Sequence, residues 1–337
     1  MKVDSGLVGI SDLARVGASA RDLEAEGFDA LVTAEIDSDP FLPLVLAAEH
    51  TERIQLMTSI AVAFARNPMT VAQIGNDLQA FSKGRFILGL GSQIKPHVTK
   101  RFGMPWSAPA ARMREFVLAM RAIWRCWYEG EPLAFRGDHY THTLMTPNFV
   151  PKNNPHGAPK VVLAAVGPKM TEVVGEVADG MLVHAFTTER YLREVTLPAL
   201  ERGLARSGRV RRDLEVCYPA FVVTGRDERE WQAMRTAIAT QIGFYGSTPA
   251  YRGVLEVHGW GDLQGELNRL SKRGEWQAMG ERIGDDVLEA FAIVAEPARV
   301  AAALKQRFGG LVDRVLCSFS FLEPHERAKY IEELRAG

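Results

Sequence analysis

The sequence predicts an α/β fold, a TIM (β/α)8 barrel with insertions. Three observations lead there. Short apolar runs alternate with amphipathic helical stretches at a period of roughly 25 to 30 residues, the pattern of βαβ units around a parallel sheet. Eight such strand-and-helix units can be traced through the 337 residues. The stretch Ser82-Lys83-Gly84-Arg85-Phe86-Ile87-Leu88-Gly89-Leu90-Gly91-Ser92-Gln93 reads as a helix end, a tight turn, a buried strand and a glycine-rich exit. Phe86 to Leu88 is a short apolar run bounded by glycines, as a fully buried parallel strand should be. Gly89 and Gly91 then allow a sharp turn or close approach to a ligand.

The elements follow in order. Val3 to Leu7 is the first strand. Ser11 or Asp12 caps a helix whose apolar positions Leu13, Val16, Ala20 and Leu23 keep helical spacing, and Gly27 ends it. Phe28 to Thr33 is strand two, and Pro40 opens a helix through His50. Ile54 to Ala63 is strand three, Met69 to Phe81 its helix, and the glycine-rich stretch supplies strand four. A helix spans about Ala110 to Tyr128. Arg136-Gly137-Asp138 between two apolar or aromatic runs signals a hairpin within Glu131 to Met145. Thr146 to Pro159 is a proline-rich loop. Strand five is Lys160 to Val166, followed by a helix from Thr171 to Ala178. Strand six is Met181 to Ala185. The helix Thr188 to Ala205 carries Pro198 as a kink. Strand seven is Leu214 to Val223, with a helix from Glu228 to Ile242. Pro297 to Phe308 is a helix, Val312 to Phe319 strand eight, and Pro324 to Leu334 the last helix. Residues 243–295 are irregular and are expected to be an insertion in one domain spanning 1–337, because no linker-like composition bounds them.

Composition excludes several classes. With 40 basic and 41 acidic residues the formal net charge is −1, which recommends neither nucleic acid nor an anionic membrane. Hydrophobic residues make up 47% and charged residues 24%, ordinary for a globular chain. Cys126, Cys217 and Cys317 are far apart and odd in number, giving no metal spacing and no disulfide framework. No run reaches membrane-spanning length and Met1 to Asp12 lacks the regions of a signal peptide, so a cytoplasmic chain is expected. His139 and His142 sit three apart on a strand and face opposite sides, so no metal is expected there.

In a barrel, ligands gather at the C-terminal strand ends. That places Glu35 and Asp37 after strand two, and Ser59, Ile60 and Ala61 after strand three. Gly91, Ser92, Gln93, Lys95 and His97 follow strand four, Gly167, Pro168, Lys169 and Met170 follow strand five, and His184 ends strand six. Glu35 and Asp37 read as acid/base groups, as ligands for cofactor hydroxyls or as part of a capping segment before Pro40. His97 reads as a proton donor, a substrate contact or a solvated loop histidine. His184 reads as a ligand contact or a satisfied rim histidine. Pro168 in a helix's first turn is at home, but Lys169 beside it opposes the helix dipole at a cost of roughly 0.3 to 1 kcal/mol. A phosphate held by the free N–H groups would reverse that penalty; otherwise Lys169 is a solvated lysine. Gly89-Leu90-Gly91 lacks the third glycine and the immediate helix of a dinucleotide fingerprint. The arginines and tryptophans of 112–127 mix with aliphatics at helical spacing, which fits an amphipathic barrel helix, possible at a dimer face, better than nucleic-acid binding.

Taken together, several segments resemble the luciferase-like monooxygenase family, in particular its deazaflavin-dependent branch. They are Gly27-Phe28-Asp29-Ala30-Leu31 into Glu35, Thr58-Ser59-Ile60-Ala61-Val62 with Arg66-Asn67-Pro68, Ser82 to Gly91, Val166-Gly167-Pro168-Lys169, and Ala178-Asp179-Gly180. The resemblance covers nearly the whole chain. It implies a TIM barrel binding coenzyme F420, or alternatively FMN, at its C-terminal face. By resemblance, Gly167, Pro168, Lys169 and Met170 would meet the cofactor phosphate, and Ser59-Ile60 is a site of a non-prolyl cis peptide supporting the ring. Ser59, Ile60, Ala61, Gly91, Ser92, Gln93 and His184 would complete the cofactor site, and Glu35 and His97 are the candidate proton-transfer residues. Ile36 and Ile94 stand where the related sugar-phosphate dehydrogenases carry a catalytic histidine and an acid, which argues against sugar-phosphate oxidation. The expected activity is hydride transfer between the deazaflavin C5 and a small organic substrate, in a homodimer. An FMN-dependent monooxygenase and a non-catalytic flavin-binding barrel are the alternatives.

Overall fold

The computed structural model describes residues 1–7, 12–152, 154–317, 319 and 321–336. Eight parallel strands close on themselves: β1 (Lys2–Gly6), β2 (Ala30–Thr33), β3 (Gln55–Thr58), β4 (Phe86–Gly91), β5 (Lys160–Ala165), β6 (Gly180–Val183), β7 (Glu215–Pro219) and β8 (Arg314–Leu316). Each pairs with the next, and β8 pairs with β1. The helices outside them are α1 (Leu13–Glu26), α2 (Leu42–His50), α3 (Pro68–Phe81), α4 (Pro109–Glu129), α5 (Pro168–Val177), α6 (Leu197–Arg206), α7 (Glu228–Gly246), α8 (Gly261–Arg273), α9 (Val300–Phe308) and α10 (Pro324–Arg335). This is the expected TIM barrel. Asp12 caps α1 by accepting from Ala14 N–H, whereas Ser11 lies outside the described residues.

Alternation along the strands divides the core in two. Outward-facing residues such as Val3, Leu31, Leu56 and Leu88 join the helices in the main apolar cluster. Inward-facing Val32, Met57, Ile87, Val162, Leu182 and Cys217 fill the barrel. At its N-terminal end the filling turns ionic. Arg314 donates to both oxygens of Asp4, at 2.8 and 2.7 Å, and to Gln55 at 2.9 Å. Helices α5 and α6 cross closely because Gly175 and Gly203 face each other's backbones; a Cβ on Gly203 would lie 2.0 Å from the Glu172 carbonyl oxygen.

Several elements depart from the sequence reading. The kink expected inside one helix at Pro198 is a wide turn, Leu192–Thr196, that absorbs the proline ring before α6 begins. Strand seven breaks after Pro219, and Phe221–Val223 leaves the barrel to pair with Ala292–Val294. Helix α7 continues to Gly246. Between these two short strands Val223, Ala239, Ile242, Leu267, Met279 and Phe291 pack into an apolar cluster of their own, joined by Phe186 and Tyr191 from beyond β6. The hairpin forms, with Phe135 opposite His142, and Glu115 accepts from the N–H groups of Asp138, His139 and Tyr140 at its turn. The side chains of α4 are engaged within the chain: Trp124 and Trp127 are buried, Arg114 pairs with Glu176, and Arg121 with Asp179. Among the described residues no helix is long and apolar enough to cross a membrane.

Candidate active site at the C-terminal mouth of the barrel

The mouth is shaped first by a bulge. Met57 lies opposite Ile87, but Ala61 opposite Leu90, so the chain after β3 spends four steps where β4 spends three. The extra residue falls at Ser59–Ile60, whose peptide bond is cis. A bulge reverses which side chains face inward, and it turns Ile60 over Gly91. A Cβ on Gly91 would lie 2.9 Å from Ile60 Cδ1, and one on Gly89 only 1.7 Å from the Thr58 carbonyl oxygen. The two glycines are therefore space for the neighbouring bulge. The turn expected at them comes later: β4 runs straight through Gly91, and Gln93 takes the left-handed conformation at φ 59°.

Glu35 holds the bulge from the side. Its Oε2 accepts from Val62 N–H at 2.7 Å and from Arg66 Nη1 at 2.6 Å, while its own N–H donates to the Ile60 carbonyl. Arg66 reaches on to Asp39 at 3.0 Å and lies over the Phe41 ring. The Glu35 side chain is 7% exposed. A carboxylate fixed this way orients backbone and is already ion-paired. His97 lies in the turn His97–Arg101 after β4, exposed, in the loop that reaches the β2 exit when Arg101 donates to the Ile36 carbonyl. Glu35 and His97 thus belong to adjacent loops but different environments.

The β5 exit offers an anion site. Gly167 caps α5 through backbone alone, and a Cβ on it would meet nothing within 4 Å. The N–H groups of Lys169 and Met170 stand in the first helical turn, where no intrahelical acceptor exists. Lys169 is exposed and makes no ion pair among the described residues. Thr171 closes back on the Gly167 carbonyl through both its N–H and its hydroxyl.

His184, one residue beyond β6, completes the rim. Its Nδ1 accepts from Phe186 N–H at 3.0 Å, which places the proton of the neutral ring on Nε2. Tyr245 meets the imidazole edge-on and Tyr251 at a tilt, each with ring centroids 4.7 Å away. Burial among these rings pulls the His184 pKa down to about 4, and burial pushes the Tyr251 pKa up to about 12. Both tyrosines come from the irregular segment and escaped the sequence reading; the aromatic density of Phe244-Tyr245 and Tyr251 was the available signal. Among the described residues no cluster of His, Cys, Asp and Glu could hold a metal.

The luciferase-like monooxygenase family profile matches residues 1–314. The chain belongs to this family. An uncharacterised protein of Mycobacterium tuberculosis is 58% identical over 319 residues, 95% of this chain and 93% of that one. A putative coenzyme F420-dependent oxidoreductase of the same species is 29% identical over 287 residues, 81% of each chain. Among solved structures, the coenzyme F420-dependent tetrahydromethanopterin reductase of Methanopyrus kandleri superposes with a TM-score of 0.78 at 21% identity, covering 99% of this chain and 96% of that one. This last likeness carries the barrel fold and its closure.

Proposed function

We propose that the chain is a coenzyme F420-dependent oxidoreductase that transfers a hydride between the deazaflavin C5 and a small organic substrate. The observation that carries the reading is the N-terminus of α5, which no side chain caps, with Lys169 beside it in no ion pair among the described residues, at the fifth strand exit of a chain similar to a putative F420-dependent oxidoreductase. Those residues fit a phosphate: free N–H groups, open space at Gly167 and an available cation. When bound, the cofactor supplies a carbon that accepts or gives up hydride. The protein's part is positional. Gly167, Lys169 and Met170 would hold the phosphate, and Ser59, Ile60 and Ala61 would present backbone to one face of the ring. Ser92 and Gln93 would border it from the β4 exit, and Glu35 with Arg66 would keep the bulge in place. His97 stands as the proton-exchanging candidate of the β4 loop, and the working unit is proposed as a cytoplasmic homodimer.

Titration of the purified chain with F420 and with FMN tests this. F420 should bind and FMN should not, and Lys169→Ala should weaken F420 binding about tenfold, the loss of one charge-assisted contact. A protein purified yellow with FMN would favour the monooxygenase reading. F420 binding without bleaching of the cofactor by any alcohol or by reduced substrate analogues would favour a non-catalytic barrel.

A further inference from the structure

From the mouth geometry we infer that His184, Tyr245 and Tyr251 form a pocket of uncharged hydrogen-bonding groups that receives the oxygen of a neutral alcohol or carbonyl substrate. The inference rests on the hydride-transfer reading above and deepens it by naming the substrate class. His184 Nε2–H and the Tyr251 hydroxyl have no partner among the described residues, yet neither is a buried polar atom sealed from solvent. They therefore reach accessible space at the β6 exit. The Tyr245 ring lies edge-on against His184, and its hydroxyl is hydrogen-bonded to Gln241.

Packing alone does not explain these residue types. Phenylalanine would make the same ring contacts at Tyr251 and spare a desolvated hydroxyl that has no partner among the described residues. Phe186 and Phe221 already do so next door: Phe186 stacks on Tyr251 and Phe221 on Tyr245.

The pocket also lacks fixed charge. Among the described residues no charged side chain hydrogen-bonds to His184 or Tyr251, and the one partner of the imidazole is Phe186 N–H. Glu35 and Asp39 are bound to Arg66 on the far side of the bulge. A carboxylate or phosphate ester entering here would lose water and gain no cation, whereas a neutral oxygen would gain two or three hydrogen bonds. On oxidation of an alcohol, its C–H bond breaks with the electron pair leaving as hydride to F420. Its O–H proton passes to water and the C=O bond forms, and reduction is the reverse.

The test uses F420-loaded protein with cyclohexanol and cyclohexanone as neutral probes and cyclohexanecarboxylate as the charged one. Binding is read by NMR from the His184 ring nitrogens and turnover from the cofactor's visible absorbance. Neutral probes should shift the Nε2 resonance, and the carboxylate should bind at least about tenfold more weakly. Tyr251→Phe and Tyr245→Phe should each raise the KM for the neutral probe about five- to tenfold, the worth of one hydrogen bond, with F420 affinity unchanged. Equal binding of the carboxylate, no response to either neutral probe, or unaltered KM in both variants would overturn the inference. Failure of wild-type protein to bind F420 would instead strike the hydride-transfer reading.

Discussion

Gly89 and Gly91 look alike in the sequence and are required for different reasons. An added methyl on Gly89 meets a backbone carbonyl 1.7 Å away that can move only with the strand. Gly89→Ala should therefore cost about 3 kcal/mol or more, measured by urea unfolding. On Gly91 the methyl meets the far end of the Ile60 side chain at 2.9 Å, which can yield. Gly91→Ala should cost about 1 kcal/mol, and Ile60→Ala in the same chain should recover part of it, a coupling that a double-mutant cycle reads directly. His184 adds a pH dependence. Its folded pKa of about 4 lies below the 6.5 of a free imidazole, so the unfolded chain binds the proton first as pH falls. Stability from this residue is complete above about pH 6.5 and drains away down to about pH 4, by up to about 3 kcal/mol. In His184→Gln the acid limb of the stability curve should be shallower by one proton over that window; an unchanged slope would show that the imidazole titrates normally.

At the scale of elements, the bulge after β3 depends on a clamp from another loop. Glu35 joins Val62 N–H and Arg66, 31 positions along the chain from each other in the case of the ion pair. Glu35→Gln keeps an acceptor for Val62 but removes the charge opposite Arg66. Breaking a largely buried pair costs about 3 to 5 kcal/mol, and the remaining Asp39 partner should soften this to about 2. If the role is positional, the variant loses stability and cofactor affinity with an unshifted pH–rate profile. If Glu35 transfers the proton, the profile loses a limb. The sequence exposed this region only partly. The strand, the glycines and the segment Ser59-Ile60-Ala61 were legible from apolar runs and resemblance. The clamp was not, because Glu35 and Arg66 meet only after β2 and β3 lie side by side. The α5 N-terminus was legible, since Gly167, Pro168 and Lys169 state their helix position locally. Tyr245 and Tyr251 were hidden by the opposite circumstance: their segment has no single periodicity, and what places them is a second apolar cluster bracketed by Phe221–Val223 and Ala292–Val294.

The whole molecule is closed by its two ends. The alternation of strands and helices announces eight units, but it does not say which residues seal the first strand to the last. Asp4 on β1 and Arg314 on β8 do so inside the barrel, 0% and 2% exposed, with Gln55, Glu215 and Cys217 around them. From sequence both charges are unremarkable, one in a strand of five residues and one in a strand of three. Their pairing is a product of inward-facing parity in a closed barrel. Removal of the cation would leave the Asp4 carboxylate buried without its bidentate partner, with burial already pressing its pKa upward. Arg314→Met should therefore destabilise the fold by about 3 to 5 kcal/mol at neutral pH. Protonation of the abandoned carboxyl would relieve part of that, so the deficit relative to wild type should shrink as pH falls toward 5. Asp4→Leu combined with Arg314→Met removes both charges and should recover most of the loss, since an apolar pair of similar bulk carries no desolvated charge. Urea unfolding at two pH values distinguishes these outcomes. A single variant as stable as wild type would mean that the pair contributes nothing to closure, and a double variant no better than the single would locate the deficit in lost packing around the guanidinium rather than in the stranded charge.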